Sequence, residues 1–291
     1  MALMAALCWS IASLISADVS RTLGGISFNR IRLILVSLMH IFYTSIQNSW
    51  NTINIDYLNL IIVSGIVGIF FGDTLLFIAL QKIGPRRNNI LFSLAAPFTV
   101  ILNILILEKK MSFVEIFGCF IVFFGVIIAI SYGDSKNNNH RWELIEGSIK
   151  IGILFGVLAA LCQSIGLIMM KPILDKGADP IASAAIRTTI SAFLLSFTFF
   201  SNSKYVTYNT RYNLKIFLKI IISGFLGMAL GMSLLLISLK NADAGIVATL
   251  SSTSPIMVLF LIWLITKKMP TYGAWIGTII AIGGTTLIFI Y

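Results

Sequence analysis

An aspartate at position 73 stands in the middle of GIFFGDTLLFIAL (68–80), a run that is otherwise apolar or glycine save for Thr74. A carboxylate in such surroundings can hold a cationic group of a ligand, or take up and release a proton. The plainer alternative is a polar residue hydrogen-bonded to a neighbouring helix. Trp9 and Ser13 lie one turn apart in AALCWSIASLI (5–15), and Gln163 stands where Trp9 does in the related AALCQSIGLIM (159–169). Their polar handles need partners when buried, so they either line a cavity or bond between helices. SLAAP (93–97) and SSTSP (251–255) set Ser93, Ser251 and Ser254 beside Pro97 and Pro255. Each proline removes a backbone donor and is expected to kink its helix. The hydroxyls and freed carbonyls there can coordinate a substrate, or can simply mend the broken ladder. Arg32 and Arg187 stand near helix entrances. They can recognise a carboxylate or phosphate, or snorkel to lipid headgroups.

Other chemistry is poorly represented. His40 and His140 are isolated, and no metal-ligand spacing is visible. Cys8, Cys119 and Cys162 read as small packing residues. GPRR (84–87) lacks the spacing of a phosphate-binding loop and reads as a cytoplasmic loop anchor. No catalytic residues, metal or other cofactor are expected.

The elements that must position these residues follow from composition. The chain has 291 residues, 58% hydrophobic and 11% charged, too few charges to cover a soluble domain of that size. Apolar blocks lie near 2–17, 28–47, 59–81, 88–107, 112–131, 149–171, 180–200, 216–239, 245–266 and 271–290. Most match the roughly 20 residues that cross a bilayer as helix. Barrel strands are shorter and alternate in polarity, so helices are expected. At this depth an ionised Asp73 facing lipid would cost about 2.5–3.5 kcal/mol, so it is expected to face the interior. No basic region precedes the first apolar run, so a cleaved signal peptide is not expected. The net charge of +10 reads as basic loops beside anionic lipid, not as a nucleic-acid surface.

The chain also repeats itself. AALCWSIASLI answers AALCQSIGLIM, and SGIVGIFFGDTLLFIAL (64–80) answers SGFLGMALGMSLLLISL (223–239). SLAAP answers SSTSP, EKKM (108–111) answers TKKM (266–269), Gly125 answers Gly283 and Arg32 answers Arg187. The offsets stay between 154 and 159 residues. Gly65, Gly68 and Gly72 recur as Gly224, Gly227 and Gly231, a small-residue face for close helix packing. Asp73 is matched by Met232, so the acid belongs to one half. The expected fold is all-α integral membrane, with ten transmembrane helices as two inverted five-helix repeats. The repeats cover 1–131 and 149–291, and 132–148 is a polar linker. Five crossings per half force the second half to enter from the opposite side, a plan common among secondary transporters.

The chain resembles the drug/metabolite transporter superfamily, EamA-type, over essentially its whole length. The resemblance is carried by LCWS in helix 1, Arg32, FIALQKIGPRRNNILFSLAAPF (77–98), LILEKK (105–110) and GCFIVFFGVII (118–128), with echoes in the second half. Thr266 stands where the second half would often show Glu, the counterpart of Glu108. The resemblance implies a cofactor-free, ten-helix carrier for a small polar metabolite, an amino acid or similar solute, with the bilayer as its other partner. A monomer and a homodimer both fit, as do proton coupling and exchange. An intramembrane lipid-modifying enzyme and a channel are the alternatives. The first would need clustered acids or histidines, and the second a ring of repeated charges.

Lys and Arg concentrate in the loops after odd-numbered helices, Arg21, Lys82, Lys150, Lys219 and Lys267 among them. Loops after even-numbered helices hold only Lys109, Lys110, Lys171, Lys176 and Lys240. The positive-inside rule then puts both termini on the non-cytoplasmic side of a bacterial inner membrane.

Overall fold

In the computed structural model of the chain, residues 1–107, 112–132, 142, 145–200, 213–241, 247 and 250–290 are described. Among these the protein is all α-helix, ten helices in two sets of five. The first set is α1 (Ala2–Leu23), α2 (Gly25–Ile46), α3 (58–83), α4 (85–107) and α5 (Phe113–Ser131). The second is α6 (Ile149–Asp175), α7 (Pro180–Ser196), α8 (Leu214–Asn241), α9 (Ser254–Thr266) and α10 (Tyr272–Ile290). Apolar side chains face outward as well as inward. On α5, Phe113, Phe117, Phe120, Phe124 and Ile127 form one exposed stripe, the face a helix turns to lipid.

The helix starts follow local chemistry. Ser112 and Glu115 close a capping box at the head of α5. Asp179 accepts from the Ile181 and Ala182 amides just before Pro180 opens α7. Asn213 accepts from the Ile216 amide at the head of α8. Most of the polar linker (His140 included), residues 201–212 and Glu108, Lys109 and Lys110 lie outside the described residues, as does the side chain of Asn103, a weaker candidate by sequence.

Three features differ from the sequence expectation. There is almost no loop between α3 and α4: Gly84, at φ +79, is a single-residue break, and α4 resumes at Pro85. A methyl on Gly84 would lie 2.0 Å from the Trp142 carbonyl oxygen, so only glycine fits under the linker there. Arg86 and Arg87 are accordingly helical and buried, not loop anchors. Their guanidinium groups donate to the Ala129 and Ile83 carbonyls near the ends of α5 and α3, where orphan acceptors favour a cation. Finally, α4 breaks at residues 93–94 and a matching break at 252–253 precedes α9, ahead of Pro97 and Pro255. Both prolines sit in the first turn of the segment that follows, where a missing N–H costs nothing.

The duplication is visible in the backbone. α3 contains a π-helical stretch at Ile66–Phe71, and α8 contains one at Phe225–Leu230, 159 residues later. That is the offset at which the two sequences match. Gly65 and Gly72 bracket the first stretch as Gly224 and Gly231 bracket the second. Each stretch packs on the other half. Gly65 backs onto Arg187 of α7, and Gly68 onto Gly166 of α6. In the same way Gly224 backs onto Arg32 of α2, and Gly227 onto Ala12 of α1. α5 and α10 pair separately, backbone against backbone, through Gly118, Gly125, Gly277 and Gly284. A methyl on Gly283, the sequence match of Gly125, would meet nothing within 4 Å.

Candidate functional site

A cavity of about 90 Å³ opens between α1, α2, α3, α4, α6, α8 and α9. Sites of roughly 10–15 Å³ each hold one water, so it has room for several. Two pairs of equivalent residues face it from opposite halves: Trp9 with Gln163, and Asp73 with Met232. The cavity therefore lies across the pseudo-symmetry relating the two halves.

Asp73 begins the α-helical turn that follows the first π-helical stretch, which places its carboxylate toward the cavity. It does not stand alone. Arg32, from α2, donates its Nη2 to Asp73 Oδ2 in a buried ion pair. The Arg32 guanidinium also lies over the Phe77 ring, 4.4 Å from its centroid. Arg32 is thus a wall of the cavity, not a snorkelling anchor, and the carboxylate is what keeps its charge inside. Thr74, next to Asp73, accepts from Asn29 Nδ2 at 3.2 Å, a second α2–α3 tie.

Trp9 donates Nε1 to the Gly227 carbonyl at 2.9 Å. The shift to i→i+5 bonding in a π-helical stretch upsets the backbone ladder, and the indole meets one carbonyl there. At the equivalent stretch of α3, Ser191 donates to the Gly65 carbonyl at 3.0 Å. Ser13 accepts from Asn89 Nδ2 at 2.6 Å, and Ser254 donates to Asn89 Oδ1 at 3.1 Å. Asn89 therefore links α1 to α9 across the cavity wall. Ser10 adds a bond to the Ser254 carbonyl at 3.1 Å. Its counterpart Ser164 donates to the Ala95 carbonyl at 2.8 Å, so one hydroxyl from each half tends the break in α4 or the one before α9.

Of the residues singled out in the sequence, Trp9, Ser13, Arg32, Asp73, Gln163 and Ser254 come together around the cavity. Ser93, Pro97, Ser251 and Pro255 do not line it. Ser93 bonds back to the Ile90 carbonyl at 2.6 Å, mending the turn it sits in. Arg187 lies behind the cavity and is fully buried. A methyl on Gly68 or Gly166 would come within 3.0 or 3.2 Å of its Nη2.

Several lining residues carried no warning in the sequence. Phe77, Phe92 and Met228 looked like ordinary lipid-facing or packing residues. Asn89, which with Asn103 flanks the fourth apolar block, is a weaker candidate by sequence, and Asn88 beside it lines the cavity too. His40, isolated in sequence, bridges three helices: its ring nitrogens meet Thr188 Oγ1 at 3.2 Å and Ser233 Oγ at 3.4 Å.

The model of the EamA-like transporter family matches residues 1–131 and 150–290. The chain belongs to that family. The EamA-like chain is also 35% identical, over 72 residues, to a protein of Bacillus subtilis (strain 168) named as the uncharacterized transporter YyaM. That match spans 25% of this chain and 24% of the relative's length. A solved crystal structure aligns with 98% of the chain and 94% of its own length, at TM-score 0.73 and 14% identity, a likeness of fold. The protein is a multi-pass membrane transporter of the drug/metabolite type.

Proposed function

We propose that this EamA-like protein is a secondary transporter that moves a small polar metabolite, an amino acid or similar solute, by alternating access. The halves 1–131 and 149–291 are the moving parts, and the space around Asp73 is the substrate site. Its placement supports this reading most directly. Trp9 and Gln163, and Asp73 and Met232, meet in one cavity from opposite halves. A ligand held there is touched by both repeats, so rocking one against the other opens the site to one side and then the other. The two π-helical stretches, each packed on the opposite half, supply matching contact surfaces for that motion.

Asp73 is the coupling candidate. In proteoliposomes, saturable uptake with counterflow is expected, which a channel does not produce. If transport is proton-driven, flux follows the imposed pH gradient and loses that dependence in Asp73→Asn. Flux indifferent to both the gradient and the substitution argues against proton coupling. Loop charge places both termini on the non-cytoplasmic side of the bacterial inner membrane. A terminal reporter fusion that reads cytoplasmic reverses this orientation.

A further inference from the structure

Six ionised side chains are buried among the described residues: Arg30, Arg32, Arg86, Arg87, Arg187 and a single acid, Asp73. Arg30 donates to Thr198 Oγ1 at 3.0 Å and lies over the Phe199 ring. Arg86 and Arg87 bond to helix-end carbonyls. Two arginines are left for one carboxylate. Arg32 holds it. Arg187, equivalent to Arg32 in the second half, is 0% exposed, and none of its three guanidinium nitrogens meets a hydrogen-bond acceptor among the described residues. A buried cation left with unmet donors is costly in a protein interior, more so inside a membrane.

We propose that the substrate is a small organic monoanion, a carboxylate on an apolar body, which takes Arg32 while Asp73 passes to the unpartnered Arg187. The charges then balance: two guanidinium groups face two carboxylates. No covalent bond is made or broken, and the fork of donors on each guanidinium gains a carboxylate that matches it. The cavity walls suit the rest of the molecule. Trp9, Leu76, Phe77, Phe92 and Met228 offer an apolar surface beside Arg32. Gly68, on the helix that carries Asp73, packs so close to Arg187 that a methyl there would lie 3.0 Å from its Nη2. The carboxylate therefore has a second cation beside its own helix. This deepens the carrier reading and rests on it.

The test uses detergent-purified full-length protein and matched sets of probes: 3-phenylpropionate, 3-phenylpropionamide and 3-phenylpropylammonium, and likewise the acetate and benzoate series. Carboxylates are expected to raise the melting temperature by several degrees at millimolar concentration, and the amides and amines are not. In Asp73→Asn, which removes the competing internal carboxylate, the half-saturating carboxylate concentration should fall several-fold. In Arg187→Gln it should rise tenfold or more, because Asp73 loses its second partner. In the double variant that tenfold rise should disappear. Arg187→Lys, which keeps the charge, should shift it less and serves if the glutamine variant does not fold. Stabilisation by amines in place of carboxylates, no response to any carboxylate, or loss of carboxylate binding in Asp73→Asn overturns the proposal. Counterflow of the same probes in proteoliposomes separates the two readings. Counterflow of an amine or amide sinks the anion class and leaves the carrier. Carboxylate binding with no counterflow of any probe leaves the anion site and sinks the carrier.

Discussion

Arg32 and Arg187 occupy equivalent positions in the two halves, and their surroundings were duplicated with them. Each guanidinium lies against a π-helical stretch of the neighbouring span, beside a glycine at equivalent positions: Gly227 for Arg32 and Gly68 for Arg187. One of the differences between them decides the charge. The first half places Asp73 where the second places Met232, so Arg32 is ion-paired and Arg187, among the described residues, is not. Backbone distortion, glycines and arginine belong to the shared scaffold. The acid is a local difference, and it gives one of the two equivalent arginines a carboxylate partner.

Removing Arg32 gives the largest expected effect on this comparison. Arg32→Ala leaves Asp73 buried without its partner and should cost about 3–5 kcal/mol, read as a large drop in melting temperature. Adding Asp73→Asn should restore much of that loss, since no uncompensated charge remains. Arg187→Ala strips no such partner, and a drop as large as that of Arg32→Ala would erase the distinction drawn between the two.

Steric substitutions come next. A methyl at Gly68 would lie 3.0 Å from Arg187 Nη2 and 3.2 Å from the Gly166 backbone. At Gly227 the nearest atom is the Ala12 side chain, at 3.1 Å, and Arg32 Nη1 lies 3.6 Å away. Gly68→Ala should therefore cost about 1–3 kcal/mol, and Gly227→Ala less. Equal melting temperatures for the two variants would contradict the tighter packing around Arg187.

Trp9→Phe keeps the ring and removes one donor to the Gly227 carbonyl. It should cost about 1–3 kcal/mol if that carbonyl stays buried and unmet. The smallest effect expected is a gain. By the repeat symmetry, Met232→Asp puts a carboxylate where it can meet Arg187. It should melt above Met232→Asn, a difference that disappears in the Arg187→Gln background.

Much of the architecture was legible along the chain. The ten apolar blocks, the repeat offset and the matched glycine triplets sufficed to expect ten helices in two related halves. The 159-residue offset between helices 3 and 8 returned as the spacing of the two π-helical stretches. The reach of the helices was less legible. Arg86 and Arg87 read as a loop because charge ordinarily marks a membrane exit, yet carbonyls at the ends of α3 and α5 accept them in the interior. Pro97 and Pro255 pointed to kinks, but each opens the segment after a break. His40 gave no signal, since its partners Thr188 and Ser233 lie on helices far along the chain.

Composition and periodicity, being local properties, determined by themselves that this chain lives in a bilayer as helices and that its second half repeats the first with opposite insertion. A residue's solvent is set by the roughly 20 neighbours that cross the membrane with it. Which charges meet inside was decided only by the tertiary structure. Asp73, Arg32 and Arg187 come from three different helices, and only packing determines that one arginine takes the carboxylate while its twin has no hydrogen-bond partner among the described residues. Pairing energies in a low-dielectric interior depend on ångström-scale separations that no sequence spacing encodes.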